Sequence, residues 1–357
     1  MTLVLCVVLA TLVFTYTNGF HDTANSIATV VSTKVLSPRQ AILLATFFNL
    51  IGALAGTAVA KTVGTGLVNT ASITMSTLLA AMLAAIIWNL LTWYLGLPSS
   101  SSHGLIGGLC GAAIASAHGN WSVVIWTSSD PITHAKGGIL YKVIVPMLTS
   151  PLAGLIFGFL FMSLLYYLLR DWKPTRVHTV FGRLQILSAS YMGLGHGLND
   201  AQKTMGIIIT LALFTATTGG KMENLPPMLK FLYTPKFEVA VWVQVLCGIT
   251  MAAGTAAGGW RIIRTLGHKM VRLQPVHGFA AETTAASILT ITAILGMPVS
   301  TTHSITTSIM GVGLAKRLNA LKLGLVERIV WAWVLTLPAA GALAYGIVKL
   351  FQPLGLL

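Results

Sequence analysis

Three carboxyl groups sit where carboxyl groups are expensive. The chain has 357 residues and only eight acidic ones; Asp22, Asp200 and Glu282 fall within long apolar stretches. An ionisable group at bilayer depth costs at least about 2.5–3.5 kcal/mol, so one kept there is expected to bind or carry something. Asp130, Asp171, Glu223, Glu238 and Glu327 fall in predicted loops or helix ends, where solvation accounts for them. Asp22 belongs to Asn18-Gly19-Phe20-His21-Asp22-Thr23-Ala24-Asn25-Ser26, and Asp200 to His196-Gly197-Leu198-Asn199-Asp200-Ala201-Gln202-Lys203. Glycine with closely spaced polar residues predicts a break near the middle of each helix. Freed carbonyls, with Asp22, Asn25, Asn199 and Asp200, would hold a cation or take a proton, and freed N–H groups would face an anion. Lys203 lies one helical turn from Asp200; it is either a structural ion-pair partner or part of the site.

Hydroxyl groups supply the second chemistry. Pro98-Ser99-Ser100-Ser101-Ser102-His103 and Pro298-Val299-Ser300-Thr301-Thr302-His303 each follow a proline that ends or kinks a helix. Side-chain O–H groups and the free N–H groups of a helix beginning there form a cradle for a tetrahedral oxyanion. N-capping explains one hydroxyl per segment but not three or four. His21, His103, His196 and His303 are either proton carriers or donors to backbone carbonyls. Asn49 and Gln202 are polar positions that would line the same site.

The elements that hold these residues follow from composition. Charged residues make up 8% and apolar ones 55%, with a mean hydropathy of +0.81. A soluble domain has about 25% charged residues. Uncharged apolar runs cover 1–20, 41–60, 70–97, 143–169, 239–260 and 329–348, and roughly 20 residues span a bilayer. The run at 1–20 leads directly into the Asp22 motif and lacks a basic leader, so a first membrane helix is expected there. The net charge of +14 is spread between the apolar runs, a pattern that orients membrane helices and gives no nucleic-acid surface. Cys6, Cys110 and Cys247 lack metal-ligand spacing and read as packing residues.

The motifs recur in order. Leu95-Gly96-Leu97-Pro98 through His103 matches Leu295-Gly296-Met297-Pro298 through His303; Gly19–Asp22 matches Gly197–Asp200; Thr149–Gly154 resembles Thr336–Gly341. An internal duplication follows. Five passages per half are expected, at 3–33, 40–60, 74–97, 103–117 and 143–169, then 184–214, 237–260, 278–296, 303–316 and 328–350. Residues 1–169 form the first membrane repeat, 170–183 a cytoplasmic linker, and 184–357 the second repeat. Alternating passages put 14 basic residues on one side and seven on the other, with Lys203 inside a helix. The 14-residue side is expected to be cytoplasmic and both termini outside. An odd number of passages inverts the second repeat, a recurring transporter design with substrate at the midplane. The short passages at 103–117 and 303–316 read as re-entrant hairpins, giving 10–12 helices in an all-α integral membrane protein.

With these residues in view, the sequence resembles the inorganic phosphate transporter (PiT) family over nearly its whole length. That family carries a G-x-N-D-x-x-N signature in each half, matched by Gly19–Asn25 and Gly197–Lys203, and P-x-S-[ST]-[ST]-H segments, matched by Pro98–His103 and Pro298–His303. The resemblance implies secondary symport of inorganic phosphate, with no resident cofactor and no enzymatic activity. It also implies homodimers in a bacterial inner membrane and phosphate held between the signature helices and the hairpin tips. Glu282 falls where members carry a glutamate lining the site. His21 and Lys203 replace asparagines of the signatures that belong to sodium-site regions in sodium-coupled members. Those departures resemble the bacterial low-affinity branch, which is proton-coupled and takes phosphate as a neutral divalent-metal complex such as that of Mg²⁺. The expected alternatives are sodium coupling, a sulfate symporter on the same fold, and, more remotely, an intramembrane enzyme.

Overall fold

The structure, a computed structural model, describes residues 2–129, 136–205, 210–220, 222, 225–317 and 321–355; Asp130, Lys221 and Glu223 lie outside them. Its helices are α1 (Thr2–Ser32), α2 (Pro38–Leu54), α3 (Ala58–Thr65), α4 (Met75–Leu95), α5 (Ser101–Ser116), α6 (Val145–Leu168) and α7 (Pro174–Thr204). Then come α8 (Leu211–Thr218), α9 (Val241–Ala257), α10 (Trp260–Arg264), α11 (Pro275–Ile294), α12 (Thr301–Lys316) and α13 (Leu323–Phe351). The strands among the described residues are an antiparallel pair, Ser128–Ser129 and Lys136–Gly137. The start of α2 shows the local logic. Ser37 accepts from Gln40 N, the Gln40 side chain accepts from Ser37 N, and Pro38 occupies the first turn, where its missing N–H costs nothing.

Helix lengths recur through the chain. α1 and α7 have 31 residues each, α2 and α9 have 17, and α5 and α12 have 16. The two halves do not form separate lobes, however. α1 packs on α9, α2 on α7, α5 on α13 and α12 on α6. Glycine makes the closest of these contacts possible: a Cβ at Gly111 would lie 2.1 Å from Gly341 O, and one at Gly311 2.1 Å from Leu155 O. Such close backbone approach is how helices associate where lipid removes the hydrophobic drive between them. The outer face of α6 carries Leu152, Phe157, Leu160 and Leu164, all more than half exposed or at half, as befits a surface against hydrocarbon.

Among the described residues, four helices, α1, α4, α6 with its preceding turn, and α13, are long and apolar enough to cross a membrane by length and composition, or five if α9 and α10, bent by 58°, count as one span. α7 and α11 fall short of that criterion because they carry the polar residues of interest, and α5 and α12 because they have 16 residues.

Two expectations need correction. α1 and α7 run through the signature motifs without a break, so no backbone groups are freed there. The glycines have another use: a Cβ at Gly19 would lie 2.3 Å from Met251 O of α9, and one at Gly197 2.1 Å from Asn49 O of α2. They bring helices together instead of opening one. Nor do the prolines stop α4 and α11. Gly96 and Gly296, at φ +65° and +63°, terminate them in the left-handed conformation that glycine adopts without steric cost. Leu97 N then bonds Thr92 O, and Met297 N bonds Thr292 O, which turns the chain into two tips containing Pro98 and Pro298. Residues 174–183 of the expected linker are helical, forming the first turns of α7.

Apolar packing forms two clusters. One gathers Val7 and Phe14 of α1 with Leu105 and Leu109 of α5; the other gathers Ile27 and Val30 of α1 with Ile305 and Ile309 of α12. Between them lies a polar layer, crossed by α1 at residues 15–26.

Candidate functional site

The polar layer is built from four helix segments. α1 supplies His21, Asp22 and Asn25; α7 supplies His196, Asp200 and Lys203. The first turns of α5 and α12 supply Ser101, Ser102, Thr301 and Thr302. All are buried. Ser101 Oγ donates to Asp22 Oδ2 at 2.6 Å, and Thr301 Oγ1 donates to Asp200 Oδ2 at 3.0 Å. Asn25 Nδ2 donates to Thr302 Oγ1 at 2.9 Å and Thr301 Oγ1 at 3.2 Å. Lys203 Nζ donates to Ser102 Oγ at 2.7 Å. The motif residues thus meet in matching ways: Ser101 on Asp22 corresponds to Thr301 on Asp200, and Asn25 on Thr302 corresponds to Lys203 on Ser102.

Of the hydroxyls expected to cradle an anion, four face the carboxylates and Lys203, and three support the tips. Ser100 and Ser300 accept from His103 N and His303 N, both at 3.2 Å, as helix caps. Ser99 donates to Thr92 Oγ1 at 2.9 Å. Thr92, unremarked in sequence, also meets His21 Nε2 at 3.1 Å, while His21 Nδ1 lies 2.7 Å from Asp22 Oδ1. Trp333 of α13 fixes the first tip by donating to Pro98 O at 2.9 Å.

Gln202 serves the frame, and Asn199 is held to it through Nδ2 with Oδ1 unpartnered. Asn199 Nδ2 donates to Leu289 O at 2.8 Å and Gly195 O at 3.1 Å. Gln202 Oε1 accepts from Val59 N at 2.9 Å, which satisfies a free N–H in the first turn of α3. Glu282 stands apart from Asp22 and Asp200. Its carboxylate accepts from Thr29 and Ser188 hydroxyls and from Gln185 Nε2 at 3.1 Å. Thr29, Ser188 and Gln185 gave no signal in sequence, because a Thr, Ser or Gln in a helix is ordinary until its neighbour is known. His103 and His303 pack ring to ring at 4.9 Å, and His303 lies 4.0 Å from the Trp333 ring.

Asn49 orients the His196 ring. Asn49 Nδ2 donates to Thr255 Oγ1 at 3.1 Å, leaving Oδ1 to accept from His196 Nδ1 at 3.0 Å. Nε2 of the same ring lies 3.3 Å from Asp200 Oδ2; a proton there is donated to the carboxylate, and a lone pair there is repulsive unless a cation lies between the two atoms. Asp22, His196 and Asp200 each offer a ligand atom within 4.8 Å of the others. Oxygen and imidazole nitrogen donors of this kind suit a divalent ion.

A family model described as "Phosphate transporter family" matches residues 18–344. This chain belongs to that family. It is 41% identical over 353 residues to a "Probable low-affinity inorganic phosphate transporter" of Bacillus subtilis (strain 168), covering 98% of each chain. With a protein of the same description from Mycobacterium leprae it shares 42% over 351 residues, which is 98% of this chain and 78% of the relative. A solved structure titled "The sodium-dependent phosphate transporter" superposes with a TM-score of 0.80 over 99% of both chains at 23% identity, which shows the same fold. The family members are named as transporters, and this chain is an integral membrane protein of that family.

Proposed function

We propose that the protein is a secondary active symporter of inorganic phosphate, free or as a neutral divalent-metal complex, driven by a proton gradient. The observation that carries this reading is the meeting of two buried carboxylates with hydroxyls from both hairpin tips: Ser101 on Asp22 at 2.6 Å and Thr301 on Asp200 at 3.0 Å. Ser101, Thr301 and Thr302, freed by a small rotation from the carboxylates, and Ser102, which accepts from Lys203 and keeps its own O–H, have the donors a phosphate needs. Helix N-termini at Ser101 and Thr301 add backbone N–H groups and favourable dipoles.

Charge makes symport necessary. Two carboxylates and one ammonium leave the pocket negative before an anion arrives. Phosphate therefore needs accompanying cations or protons, for which Asp22, His196 and Asp200 supply the ligands. Moving a bare anion inward also opposes an inside-negative potential, by about 2.3 kcal/mol per charge per 100 mV. In the accompanying picture the repeats are inverted, both termini lie outside the inner membrane, and the protein works as a homodimer. Lys203, held by Asp200, tunes the charge of the site.

The test is uptake of labelled phosphate into proteoliposomes with pH and sodium gradients imposed separately. Uptake is expected under an inward proton gradient without sodium, with arsenate competing and sulfate not. Uptake that follows only the sodium gradient would overturn proton coupling, and equal competition by sulfate would overturn the choice of phosphate.

A further inference from the structure

The Lys203 ammonium occupies what would otherwise be a cation-binding site. Its three oxygen partners come from three separate segments: Asp200 Oδ1 of α7 at 2.7 Å, Ser102 Oγ of α5 at 2.7 Å, and the Val299 carbonyl of the second tip at 2.5 Å. A carboxylate, a hydroxyl and a backbone carbonyl converging on one point are oxygen ligands of the kind a hard cation takes, every one of them is buried, and the single charge of the ammonium that fills the set makes its counterpart monovalent. An ammonium is a compact charge with three donors, so it fills such a set one proton per oxygen.

The repeat within this chain shows what the position holds without the lysine. Asn25 stands three residues after Asp22, as Lys203 stands three after Asp200. Its Nδ2 donates to Thr302 Oγ1 at 2.9 Å, the counterpart of the Ser102 hydroxyl that meets Lys203. Asn25 brings no charge, and its Oδ1 has no hydrogen-bond partner, so that half keeps an amide oxygen available as a ligand. Burial makes a structural explanation of Lys203 insufficient by itself. A buried ion pair is commonly no more stable than an apolar pair of the same volume, yet this one also ties Ser102 and Val299 of both tips to α7.

We infer that Lys203 is a tethered substitute for one monovalent coupling cation, so that each transport cycle in this protein carries one mobile positive charge fewer than the site was shaped to hold. The ammonium stays with the carrier on both the loaded and the empty strokes, and it contributes no net charge movement. The inference rests on the symport reading above and specifies its charge stoichiometry.

Lys203→Asn tests it by making the second half resemble the first. Purified wild-type and variant proteins are heated in detergent without phosphate, in choline, lithium, sodium or potassium chloride at one ionic strength. Wild type sets the baseline, showing in each salt no more than the response of its Asn25 half. The variant should gain stability beyond that baseline in at least one alkali salt, rising with the logarithm of its concentration as a bound ligand requires. In proteoliposomes, variant uptake should fall about ten-fold or more in choline, where Asp200 has lost its partner, and recover with that same cation. The current per phosphate should then rise by one charge. If the variant does not survive extraction in choline, the inference requires that it survive when the cation is present throughout. A folded variant that responds to the three alkali cations no more than wild type does, one lost in every salt, or one fully active in choline overturns it. Failure of wild type to take up phosphate would instead refute the phosphate reading, and the phosphate-free unfolding experiment is unaffected by that result.

Discussion

Replacing Gly197 by alanine should dislodge α7 from α2 and disable the site without altering any polar side chain. A Cβ at this position would lie 2.1 Å from Asn49 O and 2.8 Å from both Asn49 C and Cα. All three are backbone atoms, so no rotamer change relieves the clash. Since favourable contacts lie near 3.5 Å, α7 must retreat by about 1 Å or more. Overpacking of this kind costs about 1–3 kcal/mol, and an immovable backbone places it at the upper end. The same shift moves Asp200 and Lys203, which begin at 2.5–3.0 Å from their partners, and displacements of about 1 Å in a positioned site cost about 100-fold in rate. Gly182→Ala provides the control on the same helix. Its Cβ would meet Val35 Cγ2 at 4.0 Å and nothing closer, so it should stabilise α7 by about 0.5–1 kcal/mol. Thermal unfolding in detergent and proteoliposome uptake measure both effects. If Gly197→Ala unfolds no earlier than wild type and retains uptake, the close approach of α2 and α7 does not position the site.

Other perturbations separate binding groups from the frame. Asp22→Asn should abolish phosphate uptake while leaving membrane insertion intact, and wild-type uptake would remove Asp22 from the mechanism. Ser101→Ala breaks the 2.6 Å bond to the Asp22 carboxylate, worth about 1.5–3 kcal/mol as a charged hydrogen bond, and should reduce uptake strongly. Ser100→Ala removes a cap and should lower stability by about 1 kcal/mol with smaller loss of uptake; equal effects on uptake would contradict the division of labour in the tip. Thr29→Val deprives the buried Glu282 carboxylate of one donor, with an expected loss of about 1.5–3 kcal/mol. That loss should shrink in a Glu282→Gln background, and strictly additive unfolding energies would show that the two do not interact.

Much of the architecture was legible in the sequence because charge is so rare here. Asp22, Asp200, Glu282 and Lys203 stood out against apolar surroundings, and the repeated proline, hydroxyl and histidine segments marked the tips. The reading failed where one residue type serves opposite purposes. Gly19 and Gly197 looked like helix breakers, but their missing Cβ atoms serve contact with Met251 and Asn49. Gln202 and Asn199 shared the motif of Asp200 yet point to Val59 N and Leu289 O.

The sequence alone therefore determined the class of protein, the motifs that recur in order, and which residues had to be held away from lipid. Only the tertiary structure decided who meets whom: Ser101 with Asp22, Lys203 with Ser102 and Val299, Glu282 with Thr29 and Ser188. The reason is physical. Polarity in an apolar helix is a local cost visible at one position, whereas a hydrogen bond 2.6 Å long across 79 residues depends on how closely several helices approach, and that distance is set by side chains elsewhere in the chain.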